Sequence, residues 1–93
     1  GNTRFRVYLG TIPDYSNTTV KGVLLSGVKP DSPAFKAGLQ AGDIIVELNG
    51  GKVENIYDYS YALSGMRPNE PVPMVVLRNG ERVQLSITPG SRS

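Results

Sequence analysis

The segment from Ser32 to Gly50 constrains the fold more than any other part of the chain, because its glycines stand where helices and strands must end. Ser32 is a favourable N-cap for a short helix, and Pro33 suits the first helical position, where the missing N–H costs nothing. Gly38 stands where that helix must end in left-handed backbone, which glycine adopts without strain. The first half of the segment therefore predicts a short helix that ends at Gly38.

The second half of the same segment predicts a turn, a buried strand and a hairpin. Gly42-Asp43 is a turn signal, and the run Ile44–Leu48 is rich in β-branched residues and has the length of a strand. Asn49-Gly50 is the strongest short-range signal for a two-residue hairpin turn, because both residues tolerate left-handed backbone. These residue types build a fold and carry no chemistry of their own.

The composition argues against an active site. The chain has 93 residues, which suits one small domain, and it contains no cysteine and no histidine. It therefore lacks the usual general base, the commonest transition-metal ligand and any thiol or disulfide. No two of its eight acidic residues stand at a spacing typical of a metal loop or an acid–base pair. We expect no enzyme activity, no metal and no cofactor.

The charge and the termini limit the partners and the domain boundaries. The net charge of +2 is spread along the chain without a basic block, which argues against nucleic-acid binding. No apolar run is long enough for a membrane span, and the first residues do not resemble a signal peptide. We expect residues 1–3 to be a tag scar or linker, residues 4–89 to form the domain, and residues 90–93 to form a C-terminal tail.

The rest of the chain predicts strands around one longer helix. Asn55 can cap a helix over residues 56–66, and Asn79-Gly80 is a second hairpin signal. Pro71 and Pro73 are expected to confine the start of the strand that they open to a sheet edge. The predicted strands cover residues 4–9, 20–28, 44–48, 52–53, 72–78 and 82–88, with a proline-interrupted strand over residues 10–15. The pattern predicts an α+β fold with two helices on a small, bent, mostly antiparallel sheet.

The run Ser32-Pro33-Ala34, Ala37-Gly38-Leu39, Gly42-Asp43 and Asn49-Gly50 resembles the glycine signature of PDZ domains, especially the bacterial, circularly permuted, HtrA-like type. The resemblance implies a PDZ-like partial barrel capped by two helices in permuted strand order. It also implies a non-catalytic module that takes a peptide C-terminus or an extended segment. The peptide would add as a strand between residues 9–15 and the helix over residues 56–66.

The resemblance also implies the binding residues. Tyr8-Leu9-Gly10-Thr11 matches the family's carboxylate loop, in which backbone N–H groups hold the terminal carboxylate. Leu9 and Thr11 would line the pocket for the last side chain, and Ile12 and Pro13 would continue the receiving strand. Because Thr11 replaces a larger apolar residue, we expect a pocket that is wider or more polar than usual. Arg4 and Arg6 are candidates to interact with the carboxylate through water.

The helix is expected to divide its residues between groove and core. Ile56, Ser60 and Leu63 occupy the flank that faces the groove in this family, although core packing is equally compatible with Leu63. The predicted core positions are Tyr59, Ala62 and Met66.

Pro13 departs from the family pattern and leaves two functions open. Because proline has no N–H, one ladder bond to a peptide is missing, so we expect free peptides to bind weakly. The alternative is a regulatory or packing domain whose groove binds no free peptide.

Two further segments point to a host protein. Leu9–Tyr15 and Asn55–Leu63 look like the PDZ domain appended to secreted bacterial di-zinc aminopeptidases. This resemblance implies a neighbouring peptidase domain as a partner and an exported parent protein, either periplasmic, outer-membrane-associated or secreted. The zinc ligands of such peptidases are not in this chain.

Overall fold

The structure is a computed structural model that describes residues 7–16 and 20–91. Its architecture confirms the predicted α+β fold, with two helices on a small antiparallel sheet. Residues 1–6, which include the expected tag scar and the start of the first predicted strand, lie outside the described residues, as do Arg92 and Ser93. The elements in chain order are β1 Val7–Tyr8, β2 Thr11–Pro13, β3 Val23–Val28, α1 Pro33–Ala37, β4 Ile44–Leu48, β5 Gly51–Lys52, α2 Ile56–Ser64, β6 Val72–Arg78, β7 Glu81–Ile87 and β8 Gly90–Ser91.

The main sheet has the strand order β2-β3-β4-β6-β7, and all of its pairings are antiparallel. The short strand β5 pairs with β4, and β1 pairs with β8 in a separate two-stranded ribbon. Strand β2 stands first in the order, so among the described residues no strand covers its second edge. β2 is therefore an edge strand of the main sheet.

The core lies between the sheet and the two helices. Ile45, Met74, Val76 and Ile87 from the sheet are fully buried, and Ala34 is the buried residue of α1. Helix α2 contributes Tyr59, and Met66 follows just after the end of the helix. Neither helix in the described ranges is long and apolar enough to cross a membrane.

The turn and cap residues adopt the predicted conformations. The Ser32 hydroxyl accepts a hydrogen bond from the Phe35 N–H at 3.1 Å, and Gly38 ends α1 with a φ of 94°. Asn49 and Gly50 both have positive φ, at 53° and 82°, as a hairpin turn of the predicted type requires. The ends of these elements therefore agree with the local backbone preferences of their residues.

A buried ion pair closes the segment that begins at Ser32. Asp43 is 1% exposed, and its two carboxylate oxygens accept hydrogen bonds from Arg78 Nε at 2.9 Å and Nη2 at 2.8 Å. The same carboxylate accepts the Gln40 N–H, and Arg78 Nη2 also donates to the Gly38 carbonyl. The hydrogen bonding of Arg78 to the Asp43 carboxylate raises the pKa of Arg78, against a smaller lowering by burial. Asp43 thus ties the end of α1 to the end of β6.

One expectation was wrong in detail. Strand β6 is not at a sheet edge, since it lies between β4 and β7. Pro73 is tolerated there because it is only the second residue of the strand, and its carbonyl accepts the Asn49 N–H at 2.8 Å. Gly90–Ser91 pairs with Val7–Tyr8 as β8, and the domain boundaries stay a prediction.

Replacing Gly38 by valine should lower the free energy of unfolding by about 3 kcal/mol, because a β-branched residue is strained at positive φ. Space is not the cause, since an added Cβ at Gly38 meets no atom within 4 Å. The control is Gly65→Ala at the end of α2, where φ is −95° and the change should stay within about 0.5 kcal/mol. Chemical denaturation measures both changes, and equal losses would contradict the strain argument.

Double-mutant cycles should give different coupling energies for the two ion pairs of the described structure. The coupling energy of Asp43 with Arg78 should reach about 2–3 kcal/mol, because the carboxylate is buried and held at both oxygens. The pair Glu47–Arg82 spans the same sequence distance, but its side chains are 36% and 61% exposed, so its coupling should stay below about 1 kcal/mol. Denaturant titration of the single and double alanine variants measures both values, and similar couplings would refute the assignment.

Candidate functional site

The loop between β1 and β2 is anchored through its carbonyl groups. The Leu9 carbonyl accepts the Ala34 N–H at 2.8 Å, and the Gly10 carbonyl accepts the Lys29 N–H at 2.9 Å. Gly10 has a φ of 81°, and a Cβ built on it would lie 2.2 Å from the Ser32 Cβ. Only glycine fits here. Among residues 7–16 and 20–91, no acceptor receives the N–H of Gly10.

Strand β2 presents alternate backbone groups to its open edge. The Asp14 N–H donates to the Leu24 carbonyl at 2.8 Å, and the Ile12 carbonyl accepts the Ser26 hydroxyl at 3.0 Å, so both groups face β3. Backbone groups alternate in direction along an antiparallel strand, so those of Thr11 and Pro13 face the other way. The open edge therefore offers the N–H of Thr11 and the carbonyls of Thr11 and Pro13.

Helix α2 is joined to β2 by a hydrogen bond between two hydroxyl groups. Thr11 Oγ1 and the Tyr59 hydroxyl oxygen lie 2.6 Å apart, and the tyrosine is 4% exposed. Burial raises the pKa of the Tyr59 phenol; the Thr11 hydrogen bond lowers it by less, and electrostatic interaction with Tyr15 raises it further. The contact shows that the Thr11 side chain points towards α2, on the side where a groove between strand and helix lies.

The other end of this groove opens into a pocket of about 320 Å³. It lies where β2 ends and α2 begins, with Pro13 and Ile56 in its wall together with the rings of Tyr15 and Tyr57. Tyr57 is 80% exposed on the helix. Two carboxylate residues, Asp14 and Glu54, also line the pocket. The hydroxyl pair and the partly aromatic pocket thus both involve residues of β2 and α2.

The structure brings some of the predicted site residues together and separates others. Pro13 and Ile56 line the same pocket, and Thr11 contacts α2 through Tyr59. Ile56 and Leu63 also pack against the core. The Leu9 side chain belongs to the core at 4% exposure, and the Ser60 side chain is exposed. The Ile12 side chain is 41% exposed on the face opposite that of Thr11.

Two residues contact predicted site residues, although the sequence did not assign either of them to the site. The ammonium nitrogen of Lys29 lies 5.9 Å from the centre of the Tyr8 ring, which places a cation beside the loop. Tyr59 was predicted as core, which is confirmed, but its hydroxyl also holds Thr11. Arg4 and Arg6, the predicted basic neighbours, lie outside the described residues. Within the described ranges no cluster of three or more histidine, cysteine or acidic residues could hold a metal ion.

Comparison with known proteins identifies the class. The sequence model of the family described as PDZ domain matches residues 7–88. The chain therefore belongs to the PDZ domain family.

Within that family, the chain is similar to the PDZ domains of bacterial HtrA-type serine proteases. It is 32% identical over 82 residues to the serine endoprotease DegS of Haemophilus influenzae, covering 88% of this chain and 24% of that protein. It is 43% identical over 67 residues to a "probable periplasmic serine endoprotease DegP-like" of Marinomonas sp., covering 72% of this chain and 14% of that protein.

A solved structure gives the same result. The HtrA-type protease AlgW with decapeptide superposes with a TM-score of 0.83 and 26% identity, covering 96% of this chain and 30% of that one. The chain thus spans less than a third of each of these proteins. They are serine proteases, and they do not support the expected di-zinc aminopeptidase host. The permuted strand order stays a prediction.

Changing Tyr59 to phenylalanine should make stability less sensitive to alkaline pH. The folded state holds the phenol proton more tightly than the unfolded chain, where the pKa is about 10. Folding is therefore favoured by this group below pH ~10, and the contribution is lost as the pH rises through the raised pKa of the folded state. The free energy of unfolding of the parent and of Tyr59→Phe, measured below and above pH ~10, tests this prediction. An identical pH dependence of the two proteins would exclude a contribution from the Tyr59 phenol.

Proposed function

We propose that this PDZ domain is a non-catalytic peptide-binding module that takes a polypeptide C-terminus as an added strand on β2. The observation that carries the proposal is the anchoring of the loop Tyr8–Thr11 (the carboxylate loop). Its carbonyls at Leu9 and Gly10 are engaged by Ala34 and Lys29, so an anion can approach the N–H side.

The charge and geometry around the loop favour a carboxylate. The Gly10 and Thr11 N–H groups lie next to each other at the start of an open strand edge, where they can share one anion. Lys29 adds a positive charge beside Tyr8. A strand that ends in a carboxylate at this point must run antiparallel to β2, towards the pocket at Pro13 and Ile56.

From this arrangement we infer the register of a bound peptide. The last residue stands opposite Thr11, and the third residue from the end stands opposite Pro13. Residues directly opposite each other in a ladder share a face of the sheet. Because Thr11 points towards α2, the last and third-last side chains of the peptide also point towards α2, and the penultimate one points away with Ile12.

We infer further that the domain serves an exported bacterial peptidase and that its neighbouring partner is the peptidase domain. The serine endoproteases to which it is similar support this inference, and one of them carries "periplasmic" in its name. A serine endoprotease of the HtrA type is the favoured host. A di-zinc aminopeptidase host rests only on the likeness of Leu9–Tyr15 and Asn55–Leu63, and is the weaker proposal.

Pro13 supports a second candidate function, that of a regulatory or packing domain whose groove takes no free peptide. Its backbone faces the open edge but has no N–H to donate, so the peptide carbonyl opposite loses a partner. The missing bond is worth about 0.5–1.5 kcal/mol, and the unpaired carbonyl costs a further ~1–3 kcal/mol unless water reaches it. Proline at an edge also protects the strand from aggregation.

Titration with a peptide and its C-terminal amide decides between the two functions. For the module, we expect binding of the free acid at about 100 μM or weaker, and at least tenfold weaker binding of the amide, because the loop N–H groups hold a carboxylate. Chemical shifts of the Gly10 and Thr11 amides locate the site. No saturable binding of any peptide would favour the packing domain, and equal affinity for acid and amide would exclude carboxylate capture.

Pro13→Val should tighten peptide binding about tenfold by restoring the missing donor. Pro71→Val is the matched control, since Pro71 is exposed, precedes β6 and lies outside the groove, and it should leave the affinity unchanged. Calorimetric or NMR titration of both variants measures the effect. If the Pro13→Val variant and the parent bind the peptide equally well, the backbone of Pro13 does not face the bound peptide.

A further inference from the structure

The hydrogen-bonded pair Thr11–Tyr59 has a hydroxyl hydrogen left over. Two hydroxyl groups hold two hydrogens, and the bond between Thr11 Oγ1 and the Tyr59 oxygen uses one of them, whichever group donates. Within residues 7–16 and 20–91, neither hydroxyl has any other hydrogen-bond partner. The pair therefore keeps one donor and several lone pairs available at a part-buried position.

The position of this pair coincides with that of the last peptide side chain. In the register of the proposed function, on which this inference rests, the terminal residue stands opposite Thr11 and on the same face. That face is the one on which Tyr59 reaches over from α2. The end of the groove is thus partly filled by the tyrosine and is polar where the terminal side chain arrives.

We propose that the Thr11–Tyr59 hydroxyl pair makes the domain selective for C-termini that end in a small hydroxyl residue, threonine or serine, over those that end in an apolar residue. A terminal hydroxyl can both accept the spare hydrogen and donate to a lone pair. A terminal leucine or valine covers the pair with hydrocarbon and leaves that donor without a partner.

The cost of an uncompensated polar group sets the expected selectivity. A site built around a hydrogen bond rejects an isostere that lacks the group, because its own donor is then buried and unpaired. Since the pair is only part-buried and water can reach it in the free protein, we expect about tenfold discrimination. Thr11 is the specificity-determining residue, and Tyr59 is a positioning residue that holds it.

Two peptides that differ only in the last residue, threonine or valine, test the selectivity directly. The two side chains have the same shape, so the ratio of their dissociation constants reports the hydroxyl alone. We expect the threonine peptide to bind the 93-residue chain about tenfold more tightly, and a leucine peptide to bind more weakly than the valine peptide. An equal or tighter affinity for the valine peptide overturns the inference.

Variants of the pair separate selectivity from packing. The double variant Thr11→Val/Tyr59→Phe removes both hydroxyls with little change in volume, and it should bring the threonine-to-valine ratio close to one. Thr11→Ser keeps the hydroxyl and should preserve the ratio. A ratio that persists in the double variant shows that the pair does not select, whatever the absolute affinity of that variant.

The outcomes also distinguish this inference from the proposed function. Carboxylate-dependent binding without a preference for threonine leaves the peptide-binding module intact and refutes only the selectivity. No binding of any of the peptides, to the parent chain or to Pro13→Val, overturns both.

Discussion

The packing of the carboxylate loop on the beginning of α1 is the contact on which the candidate site depends. The first N–H groups of a helix have no partner within the helix, and here the Ala34 N–H is used to hold the Leu9 carbonyl. Gly10 approaches Ser32 so closely that no side chain could stand between them. The short helix that the glycine signature builds is therefore also the support that fixes the direction of the loop.

The local features could be predicted because each is determined by a few neighbouring residues. The cap at Ser32, the left-handed end at Gly38 and the Asn49-Gly50 turn follow from backbone preferences that hold in any fold. The two-helix α+β class followed from the order of such signals and from the resemblance. Alternation along a strand predicted that the backbone groups of Pro13 face the open edge of β2. The hydrogen bonds of Ile12 and Asp14 to β3 agree with that prediction.

The remaining features depend on contacts between distant parts of the chain, which periodicity cannot reveal. An apolar arc placed Tyr59 in the core, but nothing in that arc indicates that its hydroxyl meets Thr11, 48 positions earlier. The role of Asp43 was likewise read as a turn only, since Arg78 comes 35 residues later. Pro73 suggested an edge strand because proline has no N–H for a ladder of backbone hydrogen bonds. The second position of an interior strand also tolerates a residue without that N–H.

The pairing of β1 with β8 has a mechanical consequence. Val7 stands opposite Ser91, so the two ends of the described chain lie about one strand spacing, ~5 Å, apart. A load that pulls these ends away from each other opens the two-residue ribbon one bridge at a time, long before it reaches the main sheet. The next residues along the chain are Leu9 and Gly10. Tension applied between the two ends would therefore reach Leu9 and Gly10 before it reaches the main sheet.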